Sequence, residues 1–337
     1  MAPVTRESSV SAARVGTFRG ANCAVPSFPL GVLPTPLHRA HRLERPLGCG
    51  PLLLKRDDLI GFGVAGNKAR PLEYLVGAAL AAGAVVLVTG GAPSSNFCAA
   101  AALAARVAGL DCELLVAGDP EGAPNMALAR AAGARLLPTG AADRTAVDGL
   151  VAARAAELTA AGRPAYGVPR GGSTPLGAVG FAAAAAELLG QCAEPPALVV
   201  LGVGSGGSCA GLLVGLAAAD VPTRVLGVSV SRPPDAIAAH VDELTRGCAA
   251  LLGTVAPTQD RLELLDARGA GFGRASARER ERAAFALHAE GLLLDGTYGA
   301  QAFSATVDRL PTSAGPVVYW HTGGLAPAIA ALISSTG

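Results

Sequence analysis

Short apolar runs recur along this chain, and each one ends in a loop rich in glycine or small polar residues. They occupy residues 51–56, 84–88, 112–116, 134–137, 197–202, 224–230 and 316–320. Continuous apolar runs of this length are typical of strands that are buried on both faces. The pattern therefore predicts strands of an interior sheet.

Alanine-rich segments with helical spacing lie between these runs. They cover residues 72–82, 97–108, 125–132, 147–160, 233–252 and 274–290. Strands that alternate with helices predict an α/β fold, in which parallel sheets are built with right-handed crossovers. A chain of 337 residues suits two such domains.

Composition narrows the class of protein. Hydrophobic residues make up 51% of the chain, charged residues 16%, and the net charge is +1. No basic tract suggests nucleic acid binding, and no apolar stretch is long enough for a membrane span. Seven cysteines without a CxxC pair argue against disulfides and zinc, and predict a reducing cytoplasm. Residues 1–22 lack a signal-peptide pattern and are expected to be poorly ordered.

Lysine is nearly absent. Of 27 basic residues only Lys55 and Lys68 are lysines, so the other 25 are arginines, which cannot act as amine nucleophiles. A retained lysine is a candidate for Schiff-base chemistry, although composition alone fits leftover surface charges equally well. The local sequence favours Lys68, because it follows a glycine-bearing loop and opens a helical pattern.

Two strand-to-helix loops are candidates for anion binding. Residues 89–96 end in Ser95 and Asn96, which fit either an ordinary helix N-cap or an anion site. Residues 203–211 form a glycine-rich loop before a helix, which predicts phosphate binding. This loop also satisfies GxGxxG, but the next strand lacks the acidic residue that a dinucleotide site uses to hold the ribose.

The motifs KRDDL (55–59), GNKAR (66–70) and LEYL (72–75) resemble those of fold-type II pyridoxal-phosphate enzymes. The similar branch holds 1-aminocyclopropane-1-carboxylate deaminase and D-cysteine desulfhydrase. Further segments with the family's order are PTPL (34–37), SN (95–96), LDGTY (294–298) and HTGG (321–324). The resemblance covers residues 28 to 330.

The resemblance implies a tryptophan synthase β-like architecture. A large domain would comprise residues 1–70 and 181–337, and a smaller domain, 71–180, would be inserted in it. Pyridoxal 5′-phosphate would lie in the cleft, bound covalently to Lys68, and the enzyme would be a homodimer. The implied catalytic residues are Lys68, Ser95 and Tyr298, and the implied cofactor-binding residues are Lys68, Asn96, Gly204, Ser205, Gly206, Gly207, Ser208 and Thr322.

The resemblance also implies the reaction, which is α,β-elimination from a small amino acid to a keto acid and ammonia. Asn96 would contact the cofactor's ring hydroxyl, and Thr322 would lie near its ring nitrogen. Several positions depart from the family, among them Arg170, where a small apolar residue is commoner. Phe97 replaces a polar residue on the substrate side, and Gly299 replaces the glutamate of the deaminases, which weakens that specific assignment.

Other functions stay open from the sequence. A β-replacement synthase would use the same cofactor, and Phe97 with Cys98 suits such a specialised biosynthetic role. A nicotinamide-dependent oxidoreductase and a cofactor-binding protein without turnover are the remaining alternatives. Asp57 and Asp58 are expected to be structural, because adjacent carboxylates point apart.

Overall fold

The computed structural model describes residues 16–19, 24–140, 146–310, 313 and 315–335. Its strands, in chain order, are β1 (Gly16–Arg19), β2 (Ala24–Ser27), β3 (Leu37–Arg39), β4 (Leu52–Arg56), β5 (Val86–Gly91), β6 (Asp111–Val116), β7 (Arg135–Pro138), β8 (Ala165–Gly167), β9 (Leu198–Val203), β10 (Arg224–Ser229), β11 (Leu262–Asp266) and β12 (Val317–His321).

The α-helices of the same part of the chain are α1 (His41–Leu47), α2 (Ala69–Ala81), α3 (Asn96–Val107), α4 (Pro124–Ala131), α5 (Val147–Ala160), α6 (Pro175–Gln191), α7 (Gly207–Ala218), α8 (Pro234–Leu252), α9 (Ala277–Glu290), α10 (Gly299–Arg309) and α11 (Leu325–Ser335). Within the described ranges, no helix combines the length and apolar character that crossing a bilayer requires.

Two sheets confirm the predicted α/β fold. The larger has the strand order β11-β10-β9-β12-β4-β3, with every pair parallel except β3 and β4. The smaller has the order β7-β6-β5-β8 and is parallel throughout. Because parallel strands are covered on both faces, their side chains are almost entirely apolar, as the sequence pattern predicts.

Helices α2 and α6 pack against each other where the chain passes between the two sheets. The smaller sheet is built entirely from strands between residues 86 and 167, and the larger from strands outside that interval. The domain boundaries at 70/71 and 180/181 stay a prediction. They fall inside α2 and α6, so both helices belong in part to each predicted unit.

Several predicted elements differ from the observed ones. β5 runs to Gly91, beyond the predicted end at residue 88, because the small residues at its end still pair with β6. Helix α9 begins at Ala277 rather than at residue 274, because Ser276 and Glu279 form a capping box there.

Gly16–Arg19, which lie in the segment expected to be poorly ordered, pair with Ala24–Ser27, and the expectation of poor order stays a prediction. Residues 1–15 and 20–22 of that prediction lie outside the described residues. Several elements were not predicted from the sequence: strands β1, β2, β3, β8 and β11, and helices α6, α10 and α11.

A buried cluster of four charges ties α2, α6 and the larger sheet together. We call Lys55, Asp57, Arg70 and Glu187 the charge cluster. Arg70 donates two hydrogen bonds of 2.8 Å to Asp57, and two of 2.9 and 3.0 Å to Glu187. Lys55 forms an ion pair with Glu187. Two positive and two negative groups are thereby paired in the interior.

Neighbouring polar groups complete the hydrogen bonding of the charge cluster. Trp320 Nε1 donates to Asp57 at 2.8 Å, and Thr35 Oγ1 donates to Asp57 at 2.9 Å. Lys55 Nζ also donates to Thr35 O at 2.8 Å and to Gln191 Oε1 at 2.6 Å. Burial alone would raise the pKa of Glu187, but hydrogen bonds and charge from Arg70 outweigh it and lower the pKa to about 2.

We predict that Asp57→Asn lowers the free energy of unfolding by about 3 kcal/mol, because it removes one of the two carboxylates that pair with the buried guanidinium of Arg70. Urea unfolding followed by circular dichroism measures this loss. Glu121→Gln is the control, since it removes an exposed ion pair with Arg130. It should leave the unfolding midpoint unchanged. Equal midpoints for the two variants would contradict the prediction.

Candidate active site

A cleft with a volume of about 390 Å³ lies where loops from both sheets meet. It is lined from β5 of the smaller sheet and from β9 and β12 of the larger one, all at the carboxyl ends of parallel strands. Every site residue predicted from the sequence lines it: Lys68, Ser95, Asn96, Gly204, Ser205, Gly206, Gly207, Ser208, Tyr298 and Thr322.

The two lysines have opposite environments. Lys55 is fully buried and its ammonium group is saturated by three partners, so it is neither a surface charge nor a reactive amine. Lys68 lines the cleft, and no residue in the described ranges forms a hydrogen bond or ion pair with its amine. Burial lowers the pKa of Lys68 to about 8. A sizeable fraction of this amine is therefore neutral near physiological pH.

Backbone contacts hold Lys68 in place. It ends a short 3₁₀ turn, Gly66–Lys68, that leads into α2. Asn67 N–H donates to Thr322 O at 2.9 Å. Gly66 has φ of +55°, and a Cβ there would lie 2.4 Å from Thr322 O. Only glycine permits this approach, so the turn is docked directly on the loop after β12.

The N-terminus of α7 opens into the cleft. Its N-cap, Gly206, has φ of +95° and provides no side-chain cap, so the first backbone N–H groups of the helix keep no intrahelical partner. Ser173 and Ser231 hold the preceding loop by donating to Ser205 O and Gly204 O at 3.0 and 3.3 Å. This loop can bind an anion such as a phosphate.

The N-terminus of α3 opens into the same cleft. Ser95 is its N-cap and accepts a hydrogen bond from Cys98 N–H at 3.3 Å. The N-cap interpretation is therefore confirmed, and the same residue also faces the cleft. Asn96 begins the helix, and its Oδ1 accepts from Asn125 Nδ2 at 2.9 Å.

A third helix N-terminus, that of α10, is already occupied. Asp295 is buried and accepts hydrogen bonds from the backbone N–H groups of Thr297, Tyr298 and Gly299 at 2.9, 3.0 and 2.9 Å. Burial raises the pKa of Asp295, while these backbone hydrogen bonds lower it in part. The sequence analysis missed Asp295, although an aspartate just ahead of a helix is a known capping signal.

Aromatic rings form one wall of the cleft. The Tyr298 ring meets Phe272 edge-to-face, with centroids 6.0 Å apart. A Cβ at Gly204 would lie 3.0 Å from the Tyr298 hydroxyl, so the tyrosine lies directly on the glycine-rich loop. Phe272 and Asn67 also line the cleft and were not singled out from the sequence.

His321 is a structural histidine. Its Nδ1 accepts from Gly323 N–H at 3.2 Å, so its Nε2 donates to Leu293 O at 3.1 Å. Burial lowers the pKa of His321, and the ring is neutral. Thr322, the next residue, lines the cleft.

Two of the positions that depart from the family pattern, Phe97 and Arg170, line the cleft, and Gly299 is not among its lining residues. Phe97 is only 2% exposed, and a Cβ at Gly172 would lie 2.6 Å from its ring. It contributes an apolar surface at the cleft. Arg170 also lines the cleft, while its guanidinium donates to Asp148 at 2.9 and 3.1 Å, so its charge is compensated.

Known proteins match most of the length of this chain. A family model described as "Pyridoxal-phosphate dependent enzyme" matches residues 29–323. A putative 1-aminocyclopropane-1-carboxylate deaminase of Pyrococcus horikoshii is 33% identical over 293 residues, covering 86% of this chain and 89% of that protein. D-cysteine desulfhydrase of Salmonella choleraesuis is 35% identical over 309 residues, covering 88% and 93%.

Two solved structures are similar to this chain over most of its length. The crystal structure of a homologue of the same deaminase has a TM-score of 0.86 and 32% identity, covering 92% of this chain and 96% of that one. The crystal structure of a T.th. threonine deaminase has a TM-score of 0.64 at 23% identity, covering 86% and 92%, and shares the fold.

The residues that line the cleft have the chemical groups that pyridoxal phosphate needs for binding. The cofactor needs an amine for its aldehyde and hydrogen-bond donors for its phosphate, and Lys68 and the open N-terminus of α7 offer both. Asp295 is the acidic residue among those lining the cleft, and its carboxylate is already hydrogen-bonded by backbone N–H groups. No other residue on the described lining carries a carboxylate that would repel the phosphate.

We predict that acetic anhydride modifies Lys68 of the cofactor-free protein with a midpoint near pH 8, because only the neutral amine reacts and its pKa is about 8. Lys55 should stay unmodified in the folded protein, since it is fully buried. Peptide mass spectrometry across a pH series measures both sites. Added pyridoxal phosphate should protect Lys68. A midpoint near 10.5, the ordinary lysine value, would contradict the prediction.

Proposed function

Because this chain belongs to the pyridoxal-phosphate-dependent enzymes, we propose that it is a lyase or deaminase. It would act on a small amino acid by α,β-elimination and release a keto acid and ammonia. The observation that carries the proposal is the amine of Lys68, unpaired among the described residues and placed in one cleft with two open helix N-termini.

The relatives and one sequence position together favour a D-cysteine desulfhydrase-like reaction. Relatives with about a third of their residues identical include proteins named as D-cysteine desulfhydrase and as putative 1-aminocyclopropane-1-carboxylate deaminase. Gly299 stands where the deaminases carry a glutamate, and a Cβ there would already lie 3.1 Å from Asp295 Oδ1. The packing around Asp295 therefore disfavours a longer side chain at this position.

One of the two open helix ends would bind the cofactor, and the other would bind the substrate. N–H groups at the start of α7 would bind the cofactor phosphate, together with the loop residues that line the cleft there, Gly204, Ser205, Gly206, Gly207 and Ser208. The start of α3, with Ser95, binds the substrate carboxylate. Asn96 would donate to the cofactor's ring oxygen, and the Thr322 hydroxyl would lie near its ring nitrogen, since both residues line the cleft.

Two side chains move protons. When bound, the cofactor supplies the electron sink that makes the substrate's α-proton acidic. The Lys68 amine, once free and neutral, removes that proton. The Tyr298 hydroxyl would transfer a second proton, and its ring lies against the glycine-rich loop. Thr322 offers a neutral hydroxyl rather than a carboxylate, which suits elimination because a full-strength electron sink is not needed.

A β-replacement synthase is the second candidate. Phe97 gives the cleft an apolar surface at a position where related enzymes usually carry a polar residue. An apolar nucleophile, added as a second substrate, would fit against this surface. The glycine-rich loop that also satisfied a dinucleotide pattern belongs here to a pyridoxal-phosphate enzyme. A nicotinamide cofactor therefore has no support from the family.

We also propose that the enzyme works in the cytoplasm as a homodimer. The cysteines described by the structure, Cys49, Cys98, Cys112, Cys192, Cys209 and Cys248, are all free thiols, which suits a reducing compartment. The dimer rests on the resemblance to the family.

We predict that the purified protein is yellow and that borohydride fixes its cofactor onto Lys68. Lys68→Ala should lose the band that borohydride reduces and at least about 10²-fold of its activity, because the amine is both anchor and base. Absorption spectra before and after reduction, followed by peptide mass spectrometry, measure this. A colourless protein that takes up no added pyridoxal phosphate would overturn the proposal.

The substrate screen follows with D- and L-cysteine, β-chloroalanine of both hands and 1-aminocyclopropane-1-carboxylate. Keto acid and ammonia released in equal amounts support a lyase. Turnover that needs an added nucleophile and releases no ammonia supports the synthase.

We predict that Tyr298→Phe lowers kcat by about 10²-fold and leaves KM nearly unchanged, because it removes a proton-transfer group and keeps the ring. Steady-state kinetics with the best substrate of the screen measure this. Tyr166→Phe in β8 removes a hydroxyl outside the cleft lining and is the matched control. Equal kinetics for both variants would remove Tyr298 from the proton path.

A further inference from the structure

Asn125 lies beneath the cleft and has no assigned role. It is the second residue of α4 and is only 3% exposed. Its Nδ2 donates hydrogen bonds of 2.9 Å to Ser94 O and of 2.9 Å to Asn96 Oδ1. Its own Oδ1 is buried, and no described group donates to it.

These contacts fix the orientation of the Asn125 amide. Ser94 O is a backbone carbonyl oxygen and accepts hydrogen bonds only. A reversed Asn125 amide would place Oδ1 at 2.9 Å from that oxygen and lose both donated bonds. In this orientation the Oδ1 of Asn125 receives no hydrogen bond. A buried carbonyl oxygen without a donor is unfavourable by about 1–3 kcal/mol.

The orientation of Asn96 follows from that of Asn125. Asn96 Oδ1 is held by Asn125 Nδ2, so the Nδ2 of Asn96 points away from this contact. Asn96 lines the cleft, and no residue in the described ranges accepts from its Nδ2. The cleft therefore receives a hydrogen-bond donor at this position, and not an acceptor.

We infer that Asn125 is a positioning residue that turns the Asn96 amide so that its N–H faces the ring oxygen of the cofactor. The inference rests on the proposed function, which puts that ring oxygen at Asn96. A donor stabilises the oxygen in its unprotonated, anionic form. With the amide free to turn, Oδ1 faces the ring oxygen in part of the molecules, and two acceptors repel each other.

The test is the pH titration of the visible absorption of the bound cofactor, which reports protonation and needs no substrate. Asn125→Ala should move the midpoint to higher pH by about one unit, because loss of the donor lets the proton stay on to higher pH. Asn125→Asp, which has the same shape but no donor, should move it in the same direction. Thr245→Val, which alters a buried hydroxyl without a partner in α8, is the control and should leave the midpoint unchanged.

A double-mutant cycle distinguishes positioning from general damage. Asn96→Ala, which removes the donor altogether, should shift the midpoint at least as far as Asn125→Ala does, and the double variant should shift it no further than Asn96→Ala. Thermal melting of the cofactor-free variants is measured in parallel. Asn125→Ala with a lower melting temperature but a wild-type midpoint would overturn the inference, as would additive shifts in the double variant. Wild-type protein that binds no cofactor would overturn the proposed function itself.

Discussion

The need to neutralise four buried charges determines how this molecule is assembled. Asp57 follows β4, Arg70 lies at the start of α2, Glu187 lies in α6 and Lys55 lies within β4, and none of these groups reaches water freely. Burying any one of them unpaired would cost several kcal/mol, so α2 and α6 must meet beside the larger sheet. Lys68 lies two residues before Arg70 and Thr322 two residues after Trp320, which donates to Asp57. The position of the cleft is thus coupled to the pairing of charges deeper in the protein.

Local sequence was enough to predict the buried parallel strands other than β8 and β11, most helices and the loops that line the cleft, because each depends on residues close together in the chain. The apolar runs specify buried strands, and the glycine loop at 204–208 specifies an anion site wherever it follows a strand. Contacts between distant residues had no local signal. Lys55 and Glu187 are 132 positions apart, and Asn96 and Asn125 are 29 apart. Composition therefore left Lys55 ambiguous, and the structure places it in the core.

Three helices begin at the cleft, and they differ in what satisfies their N-terminal N–H groups. The start of α10 is filled by the Asp295 carboxylate, whereas α7 has no side-chain cap and α3 has one bond from Ser95. One helix end is thus filled by the protein's own anion, and two are left that can bind other anions. Two separate anion positions on either side of one neutral amine match a phosphorylated cofactor joined to an amino acid with a free carboxylate.

The contact between the Gly66–Lys68 turn and the loop after β12 is made by backbone atoms alone: Asn67 N–H and the close approach of Gly66 to Thr322 O. The side chain at position 322 takes no part in holding the lysine. In the proposed function, exchange of that side chain would change the group that faces the cofactor's ring nitrogen and would leave the Lys68 amine in place. Because the position of the lysine does not depend on the side chain at residue 322, single substitutions there would let proteins of this fold catalyse different reactions.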